Sequence, residues 1–561
     1  MADPVELVEL RVLDGPNLYF PRPAVKVTIA APGWMRAPTE KVEEVARRLG
    51  MRARHGGDPQ SEHRRRFTAR VAKRLVGRGA AATTTRLAVR SRAGPQPGEI
   101  VVAFPWRRRG SAEALGHELV WLLGAVLRRS PDRAITEAVG RVAAVDPGEE
   151  PTVPEPEVPV IQVTGTNGKT TTTRLLAHIV RAAGKHVAFS STDGVYADDE
   201  LVQAGDYSGF GGAATALAQS PDVAVLETAR GGILLRGIGV AHNDVAVVTN
   251  VTEDHLDLQG IRTLDQLAEV KATITKITRP GGWAVLNADD PRVLAMRRGC
   301  SGRVWLFSLD PDHPAIREVL AEGGRAIAPL DGFVTVLDGS SARQLVALVD
   351  VPVTIAGVAS VYVQNALAAT AAALAVGLPE RAVVKGLRTF VLDPERNPGR
   401  ANLFRLERRT VVVDYAHNEA GMNGLTELCR GLRPPGGEIW LAFGTAGDRT
   451  DRILHNFAVA AARGADHLAI AEQLRYLRGR DREELIERLH AGARDGGAHE
   501  VPVYEDELHA LDAMLEASKP GDVVAVTALA QRPEVFATMQ RLGAERLTPG
   551  KVRTLVRRAA S

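Results

Sequence analysis

The stretch VIQVTGTNGKTTT, residues 160–172, is the most informative part of the sequence, because an apolar run breaks there into a glycine-flanked loop and then into a predicted helix. Gly165 and Gly168 allow successive backbone N–H groups to turn toward an anion, and Lys169 adds a mobile positive charge. Thr170 offers a hydroxyl that can hold Mg²⁺. The stretch therefore predicts a phosphate-binding loop for a nucleoside triphosphate.

The surroundings of this loop support the prediction. The general pattern G-x-x-x-x-G-K-[ST] needs a glycine where this chain has Val163, so the loop is a compact variant. A β-branched strand precedes it, and the helix-length segment TTRLLAHIVRAAGK, residues 172–185, follows it. That segment carries one apolar face, as expected of a helix packed on a sheet; the face consists of Leu175, Leu176, Ile179 and Val180.

The composition is that of an ordinary globular protein, with 45% hydrophobic and 24% charged residues. A chain of 561 residues is too long for one core and predicts about three or four domains. The start, MADPVELVEL, lacks the order of a secretory signal, and no apolar run approaches the roughly 20 residues of a membrane span. We expect a cytoplasmic protein without a membrane partner. Cys300 and Cys429 lie far apart, which argues against a disulfide framework or a cysteine metal site.

Positive charge is concentrated in one segment of a chain whose net charge is only +3. Such a cluster can attract a polyanion, although a solvated helix face is the alternative interpretation. No aromatic residues interleave with it in the way that stacks bases, so nucleic acid is not the expected partner. The cluster comprises Arg52, Arg54, Arg64, Arg65, Arg66, Arg70, Lys73, Arg74 and Arg78, and Arg107, Arg108 and Arg109 follow later.

The order of elements predicts an α/β protein with an additional first domain. Residues 1–150 read as an α+β domain, and residues 151–159, rich in Pro and Glu, read as a semi-rigid linker. Short apolar strands then alternate with helix-length segments over residues 160–397, which favours a central domain with a parallel sheet. A second alternating block predicts a third domain over residues 398–561.

Three predicted strands of the central block end on polar residues, namely Glu227, His255 and Asn287. In a parallel sheet these ends lie at the same edge as the phosphate loop. Because a hard cation that bridges phosphates prefers oxygen ligands, Thr170 and Glu227 form a candidate Mg²⁺ pair. Taken alone, Glu227 could equally be a helix cap or an ion-pair partner, and His255 a satisfied structural histidine.

Six motifs in this order resemble the Mur ligase superfamily of ATP-dependent amide ligases: GTNGKTTT, LETARGG, TNVTEDHLD, LNADDP, NPGR and DYAHN. Within that superfamily, STDGVY, GDYSG, LETARGGIL and NPGRANLF are similar to the Mur-ligase-like half of the cyanophycin synthetase family, and LDGPNLYF resembles the start of its first domain. That family places an ATP-grasp domain, which adds aspartate, between these two parts. The linker here leads directly to the phosphate loop, so the resemblance implies that the aspartate-adding activity is missing.

The resemblance implies a central ATPase domain over residues 160–397 and a Rossmann-like carboxyl-terminal domain over residues 398–561. It also implies roles for individual residues. Lys169 would bind the β- and γ-phosphates, Asn287 would lie near the adenine, and Arg400 and Asp414 would meet the nucleotide after domain closure, Asp414 on the ribose. The metal ligands would be Thr170, Glu227 and His255. The remaining nucleotide-binding positions of the loop would be Gly165, Thr166, Asn167, Gly168 and Thr171. His417 and Asn418 lie at the same strand end as Asp414, and the segment Asn397–Arg400 is a candidate hinge.

Lys271 also matches the family. Many members carboxylate a lysine beyond the DH motif, which turns a cation into an oxygen ligand for a second Mg²⁺. An ordinary helix-surface lysine is the alternative that the sequence leaves open.

The implied reaction activates a carboxylate as an acyl phosphate and couples it to an amino acid, with arginine or another basic amino acid as the first expectation. The expected acceptor is an acidic peptide or polymer, which the basic first domain would suit. Two alternatives remain: a peptidoglycan-type or folylpolyglutamate-type ligase with another substrate, and an inactive nucleotide-dependent scaffold that binds a polymer. The oligomeric state, including a homo-oligomer, stays open.

Overall fold

The computed structural model describes residues 5–52, 55–82, 86–254, 256 and 258–561. Within these residues the strands form three sheets, which occupy regions 6–105, 160–347 and 402–546 of the chain. None of the described helices is long and apolar enough to cross a membrane.

The first region pairs an antiparallel sheet with helices, in the strand order β1-β2-β4-β3. Its strands are β1 (Glu6–Leu13), β2 (Ala24–Ala30), β3 (Arg90–Ala93) and β4 (Glu99–Pro105). Its helices are α1 (Pro32–Arg36), α2 (Thr39–Arg48), α3 (Glu62–Ala82), α4 (Arg109–Ala125) and α5 (Pro131–Ala143).

Strand β4, EIVVAFP, is buried along its whole length because both faces of this sheet are covered. Side chains alternate across a strand, so Val102 and Phe104 pack with the helices of the first region. Val101 and Ala103 face the other way and belong to the same core as residues of the central sheet. The first region is therefore packed directly against the second.

The second region is built on a mixed sheet in the order β15-β14-β13-β12-β11-β10-β5-β9-β6-β7-β8, parallel from β13 to β6 with antiparallel hairpins at both ends. Its strands are β5 (Val160–Thr164), β6 (Val187–Ser191), β7 (Gly194–Ala197), β8 (Glu200–Ala204), β9 (Val223–Glu227), β10 (Asn243–Val248), β11 (Thr278–Asn287), β12 (Arg303–Phe307), β13 (Arg325–Leu330), β14 (Phe333–Asp338) and β15 (Ser341–Ala347). Its helices are α6 (Lys169–Ala182), α7 (Phe210–Leu217), α8 (Arg230–Leu235), α9 (Leu264–Lys271), α10 (Thr273–Lys276), α11 (Pro291–Ala295), α12 (Pro314–Ala321), α13 (Ser360–Ala375) and α14 (Glu380–Thr389).

The third region has a sheet in the order β20-β19-β18-β21-β17-β16-β22, parallel from β20 to β17. Its strands are β16 (Asn402–Leu406), β17 (Arg409–Asp414), β18 (Ile439–Phe443), β19 (His467–Ala471), β20 (Val503–Tyr504), β21 (Val523–Thr527) and β22 (Glu545–Arg546). Its helices are α15 (Glu419–Leu432), α16 (Asp451–Gly464), α17 (Arg482–Asp495), α18 (Glu507–Ala517), α19 (Arg532–Arg541) and α20 (Pro549–Ala559). The predicted α/β class, with a parallel central sheet and an α+β first region, is confirmed.

The segment 151–159 has no helix or strand, as a linker should, but it is fixed to the central sheet. The Ala241 N–H donates to the Pro154 carbonyl at 2.9 Å, and the Arg279 guanidinium donates to the Pro156 carbonyl at 3.2 Å. Side-chain and backbone hydrogen bonds of this kind hold an extended segment in place. The segment 151–159 is therefore an extended segment held by hydrogen bonds against the second region.

The arginine cluster contains one residue that is structural. Arg64 is fully buried, and its five donors bond to the carbonyls of Gly56, Gly57, Trp34 and Ala37 and to the hydroxyl of Thr39, at 2.6–3.0 Å. Its inclusion among polyanion-binding candidates was wrong, because a guanidinium whose donors are all satisfied inside the fold has none left for a partner. The exposed members of the cluster on α3 are Arg66, Arg70, Lys73 and Arg74, while Arg54 lies outside the described residues.

Replacement of Arg64 by Met should destabilise the first region by at least about 3 kcal/mol, because several buried carbonyls lose charged donors at about 1–3 kcal/mol each. The midpoint of denaturant unfolding, followed by fluorescence, measures this loss. Arg66→Met is the matched control: Arg66 is 72% exposed beside Glu62, and its loss should cost less than about 0.5 kcal/mol. Equal shifts for the two variants would contradict the structural role of Arg64.

Candidate functional site

The loop between β5 and α6 depends on two glycines. Gly168 has a φ of +85°, and a Cβ there would lie 2.2 Å from Asn365 Oδ1; a Cβ on Gly165 would lie 1.8 Å from Thr249 Oγ1. Asn250 Oδ1 accepts the N–H groups of the two loop residues between them, Thr166 and Asn167, at 3.1 and 2.8 Å. The N–H groups left for an anion are therefore those that follow, at the N-terminus of α6.

Thr170 and Glu227 meet in a buried pair. Thr170 Oγ1 donates to Glu227 Oε2 at 2.9 Å, because β5 and β9 are neighbours and both end at this edge. Glu227 is 2% exposed, and within the described part of the chain its Oε1 has no hydrogen-bond partner. Burial raises the pKa of Glu227, and the nearby Lys169 opposes that shift. A buried carboxylate oxygen without a partner fits a divalent cation held together with phosphate oxygens.

The described residues contain no group of three or more His, Cys, Asp or Glu side chains arranged to hold a metal by themselves. A cation at Thr170 and Glu227 would thus take most of its ligands from the nucleotide and from water, which is the usual arrangement for Mg²⁺. The predicted third ligand, His255, lies outside the described residues.

Lys271 is a buried residue and not the surface lysine that the sequence left as an alternative. It is 3% exposed, and its Nζ donates to the Gly165 carbonyl at 2.5 Å, so it supports the phosphate loop from below. Burial, followed by repulsion from Lys169, lowers the pKa of Lys271 well below its usual value. The environment therefore favours the neutral amine.

Lys169, the lysine of the loop itself, folds back over the loop, and its Nζ donates to the Thr166 carbonyl at 2.9 Å. Asn287 is buried at the end of β11, where its Nδ2 donates to the Thr249 carbonyl at 2.8 Å and its Oδ1 accepts the Asp289 N–H at 2.9 Å. Asn287 thus braces two strand ends beside the cavity.

The third region contributes Asp414 at the end of β17. Its Oδ2 accepts from Tyr362 Oη at 3.1 Å and from the Ala401 N–H at 2.8 Å. The removal of water around this carboxyl raises the pKa of Asp414, while those two donors work against the shift. Arg400 lies beside it, with its guanidinium 4.7 Å from the centre of the Tyr415 ring.

Several contacts that join the second and third regions were missed in the sequence. Asn167 and Asn418 exchange two amide hydrogen bonds of 3.0 and 3.1 Å across the cavity, and Asn418 also caps α15. Asn397, in the candidate hinge, donates to Thr171 Oγ1 at 3.1 Å. The asparagines of the DYAHN and NPGR motifs, Asn418 and Asn397, could have been recognised as candidate contact residues. Their partners could not, because each lies more than 200 residues away in the sequence.

A second missed group is the partly buried carboxylate of Asp193. It accepts from Arg532 of the third region at 2.9 Å and from Arg174 of α6 at 3.3 Å. Nearby Arg400 and these two guanidinium groups hold the pKa of Asp193 below its usual value. Asp254, one residue before the predicted His255, likewise contacts Arg449 at 3.4 Å.

All the predicted site residues that the structure describes line one cavity of about 1090 Å³ between the second and third regions. They are Gly165, Thr166, Asn167, Gly168, Lys169, Thr170, Thr171, Glu227, Lys271, Asn287, Arg400 and Asp414. The cavity is large enough for a nucleotide and a second molecule.

Comparison with known sequences gives matches to two related families. The Mur ligase middle domain matches residues 163–373, and the Mur ligase, glutamate ligase domain matches residues 399–529, together more than half of the chain. The chain belongs to the Mur ligase superfamily.

Among curated members of this superfamily, cyanophycin synthetase from Synechocystis sp. is 40% identical over 372 residues, which is 66% of this chain and 42% of that protein. The chain thus spans less than half the length of this relative. UDP-N-acetylmuramoyl-L-alanyl-D-glutamate–2,6-diaminopimelate ligase from Thermosynechococcus vestitus is 29% identical over 404 residues, 70% of this chain and 75% of that protein.

Solved structures of the superfamily share the fold. E. coli FolC in complex with DHPP and ADP superposes with a TM-score of 0.52 at 23% identity, over 69% of this chain and 90% of that one. A bifunctional folylpolyglutamate synthase/dihydrofolate synthase with Mn, AMPPNP and L-glutamate bound has a TM-score of 0.51 at 19% identity, over 68% and 89% of the two chains. At this identity the likeness supports the fold alone.

The Thr170–Glu227 pair leads to a prediction for Glu227→Gln. The glutamine side chain keeps the size and the hydrogen bond to Thr170 but loses the anionic oxygen, so Mg²⁺-dependent ATP binding should weaken by about 10–100-fold, as for other altered metal shells. Calorimetric titration of ATP at several Mg²⁺ concentrations measures the change. Glu318→Gln is the control, since Glu318 pairs with Arg297 away from the cavity. An unchanged Mg²⁺ requirement in Glu227→Gln would contradict the assignment.

Proposed function

We propose that this chain is an ATP-dependent amide ligase. In the proposed reaction a carboxylate is activated as an acyl phosphate and then coupled to the amine of an amino acid. The observation that carries the proposal is the convergence of the phosphate loop, the Thr170–Glu227 pair and Asp414 on one interdomain cavity. Membership of the Mur ligase superfamily supports the same class of reaction.

The proposed chemistry needs little covalent participation from the protein. One oxygen of the substrate carboxylate bonds to the γ-phosphorus while the bond from that phosphorus to the β–γ bridging oxygen breaks, and ADP leaves. The amine nitrogen then attacks the acyl carbon, loses a proton and expels phosphate. Positioning and charge neutralisation are the tasks that remain for side chains.

Four of the described site residues have a direct place in this scheme. Lys169 would neutralise the transferring phosphoryl group, and Thr170 with Glu227 would hold Mg²⁺, which screens the phosphate charge when bound. Asp414 would bind the ribose from the opposite wall. The Asn167–Asn418 amide pair and the Asp193–Arg532 ion pair would hold the two walls together, which excludes water from the acyl phosphate.

We also propose the domain organisation predicted above: residues 1–150 as an N-terminal domain, 151–159 as a linker, 160–397 as the ATP-binding domain and 398–561 as the C-terminal domain. The three separate sheets support these boundaries. The close packing of the first sheet on the central core supports a first domain that serves the same active site.

The acceptor that we propose is an acidic peptide or polymer, and the amine is arginine or another basic amino acid. The exposed basic stripe on α3, formed by Arg66, Arg70, Lys73 and Arg74, supports an acidic acceptor through long-range attraction. The relationship to cyanophycin synthetase over two thirds of the chain supports the basic amino acid.

Phosphate release, with product mass, tests the ligase. The protein is incubated with ATP, Mg²⁺, an oligo-aspartate peptide and each amino acid in turn. Release should require both the peptide and one basic amino acid, and the product should gain the mass of that amino acid less water. Lys169→Ala should lower the rate by at least about 100-fold, since a donor to transition-state charge is typically worth 10²–10³.

The matched control is Lys276→Ala, because Lys276 is exposed on the neighbouring α10. Phosphate release without any coupled product would overturn the ligase in favour of an ATPase. A Lys169→Ala protein that retained its biological role would favour the scaffold.

We further propose that Lys271 is carboxylated by CO₂, since its burial favours the neutral amine that this reaction needs. In ¹³C NMR with labelled bicarbonate, the protein should give a carbamate signal that Lys271→Ala lacks and Lys276→Ala keeps. A signal that survives in Lys271→Ala would assign the carbamate to another amine and refute the proposal.

A further inference from the structure

A second cavity lies between the first sheet and the central region. Its volume is about 80 Å³, and one wall is the segment that contains Gln259, Gly260 and Ile261. The same stretch of chain borders the nucleotide cavity through Leu258 and Leu264. The two cavities are thus on opposite sides of one short segment, and the small one belongs to the interface that the N-terminal domain creates.

Three cations line this small cavity, one from each of three strands: Arg11 from β1, Lys26 from β2 and Arg92 from β3. Among the described residues that line it there is no aspartate or glutamate. The side chains of Lys26 and Arg11 are only 17% and 22% exposed, while that of Arg92 is 39% exposed. The cavity is therefore positively charged and partly shielded from water.

The arrangement of two of these cations is unfavourable by itself. Arg11 and Lys26 are direct cross-strand partners in the β1–β2 ladder, and like charges in that position destabilise a sheet. Glu9 bridges them from outside the cavity, with Lys26 Nζ 2.7 Å from Glu9 Oε2. With Glu269 beside Arg92, the three cations have two carboxylate partners, which leaves one positive charge in excess around the cavity.

The contacts that Arg11, Lys26 and Arg92 make with other residues use only some of their N–H donors. Arg11 Nη1 donates to the Leu234 carbonyl of α8 at 3.1 Å. Arg92 Nη2 donates to Tyr19 Oη at 3.1 Å, and its Nη1 lies 3.4 Å from Glu269. Lys26 has three N–H donors, one of which serves Glu9. An anion in the cavity could be contacted from three sides.

The size of the cavity restricts the anion. A water molecule in the liquid takes about 30 Å³, so 80 Å³ corresponds to two or three waters. That space accepts a carboxylate group but excludes a nucleotide. Charge, donor geometry and volume together point to a single carboxylate.

We propose that this cavity is a carboxylate subsite for the acidic acceptor, separate from the place where the reacting carboxylate meets ATP. The inference rests on the proposed function, because it takes the acceptor to carry several carboxylates. A peptide that reaches past the segment 258–264 would place its reacting end in the large cavity and an earlier side-chain carboxylate between Lys26 and Arg92. The N-terminal domain then contributes to acceptor length selection.

The test compares the intact protein with Lys26→Gln and Arg92→Gln by calorimetry. The probes are hexa-aspartate, N-acetyl-aspartate, inorganic phosphate and ATP with Mg²⁺. Loss of a charge-assisted hydrogen bond should raise the Kd of hexa-aspartate by about tenfold in each variant. The Kd values of N-acetyl-aspartate at the reacting position and of ATP should not change. Arg129→Gln is the matched control, since Arg129 is an exposed arginine of the same domain that pairs with Glu137.

The remaining outcomes separate the subsite from the ligase. Hexa-aspartate Kd values that are equal in all variants overturn the subsite, while coupled product in the phosphate-release assay keeps the ligase. Phosphate binding that depends on Lys26, with no binding of hexa-aspartate, also overturns the subsite and indicates a free-anion site. ATP binding that is intact in Lys26→Gln or Arg92→Gln verifies that the variant is folded, and the more exposed Arg92 provides the second substitution.

Discussion

The site depends on the hydrogen bond between Thr170 and the buried carboxylate of Glu227. It exists because β5 and β9 are hydrogen-bonded neighbours that run in the same direction, so the loop after one strand reaches the last residue of the other. Burial of a carboxylate is expensive unless a partner offsets it. Here one oxygen has Thr170 and the other has no partner among the described residues, so the Mg²⁺ proposed above would supply the partner that the carboxylate lacks.

Hydrogen bonds from several other elements fix the loop that carries Thr170. Lys271 holds the Gly165 carbonyl from below, and Asn250 fixes the loop from the side. The third region closes the cavity through the Asn167–Asn418 amide pair. Each of these contacts joins a different element to the same loop, so the loop is held from the second and the third region at once.

The N-terminal domain is held by an equally close contact. The N–H groups of Asp14 and Gly15 donate to the Arg236 carbonyl, and a Cβ on Gly15 would lie 1.9 Å from the Ile238 carbonyl oxygen. The predicted motif LDGPNLYF is therefore a docking loop whose glycine permits the close approach of two backbones. These contacts are made at Arg236 and Ile238, directly after α8, and α8 begins with Arg230 at the wall of the large cavity.

The pattern of residues along the chain was sufficient to predict the α/β class, the glycine-flanked loop between β5 and α6 and the meeting of Thr170 with Glu227, because strand alternation and the carboxyl ends of parallel strands are local patterns that repeat along the chain. The folded structure was needed to show that Lys271 is buried and that the donors of Arg64 are all bonded inside the first region. It also showed that Asn418 and Asp193 join the second and third regions. Burial and pairing depend on neighbours tens to hundreds of residues away, as in the separation of 251 residues between Asn167 and Asn418. A local sequence pattern does not identify such distant neighbours. The charge of a side chain was therefore known from the sequence, but the residue with which it pairs was not.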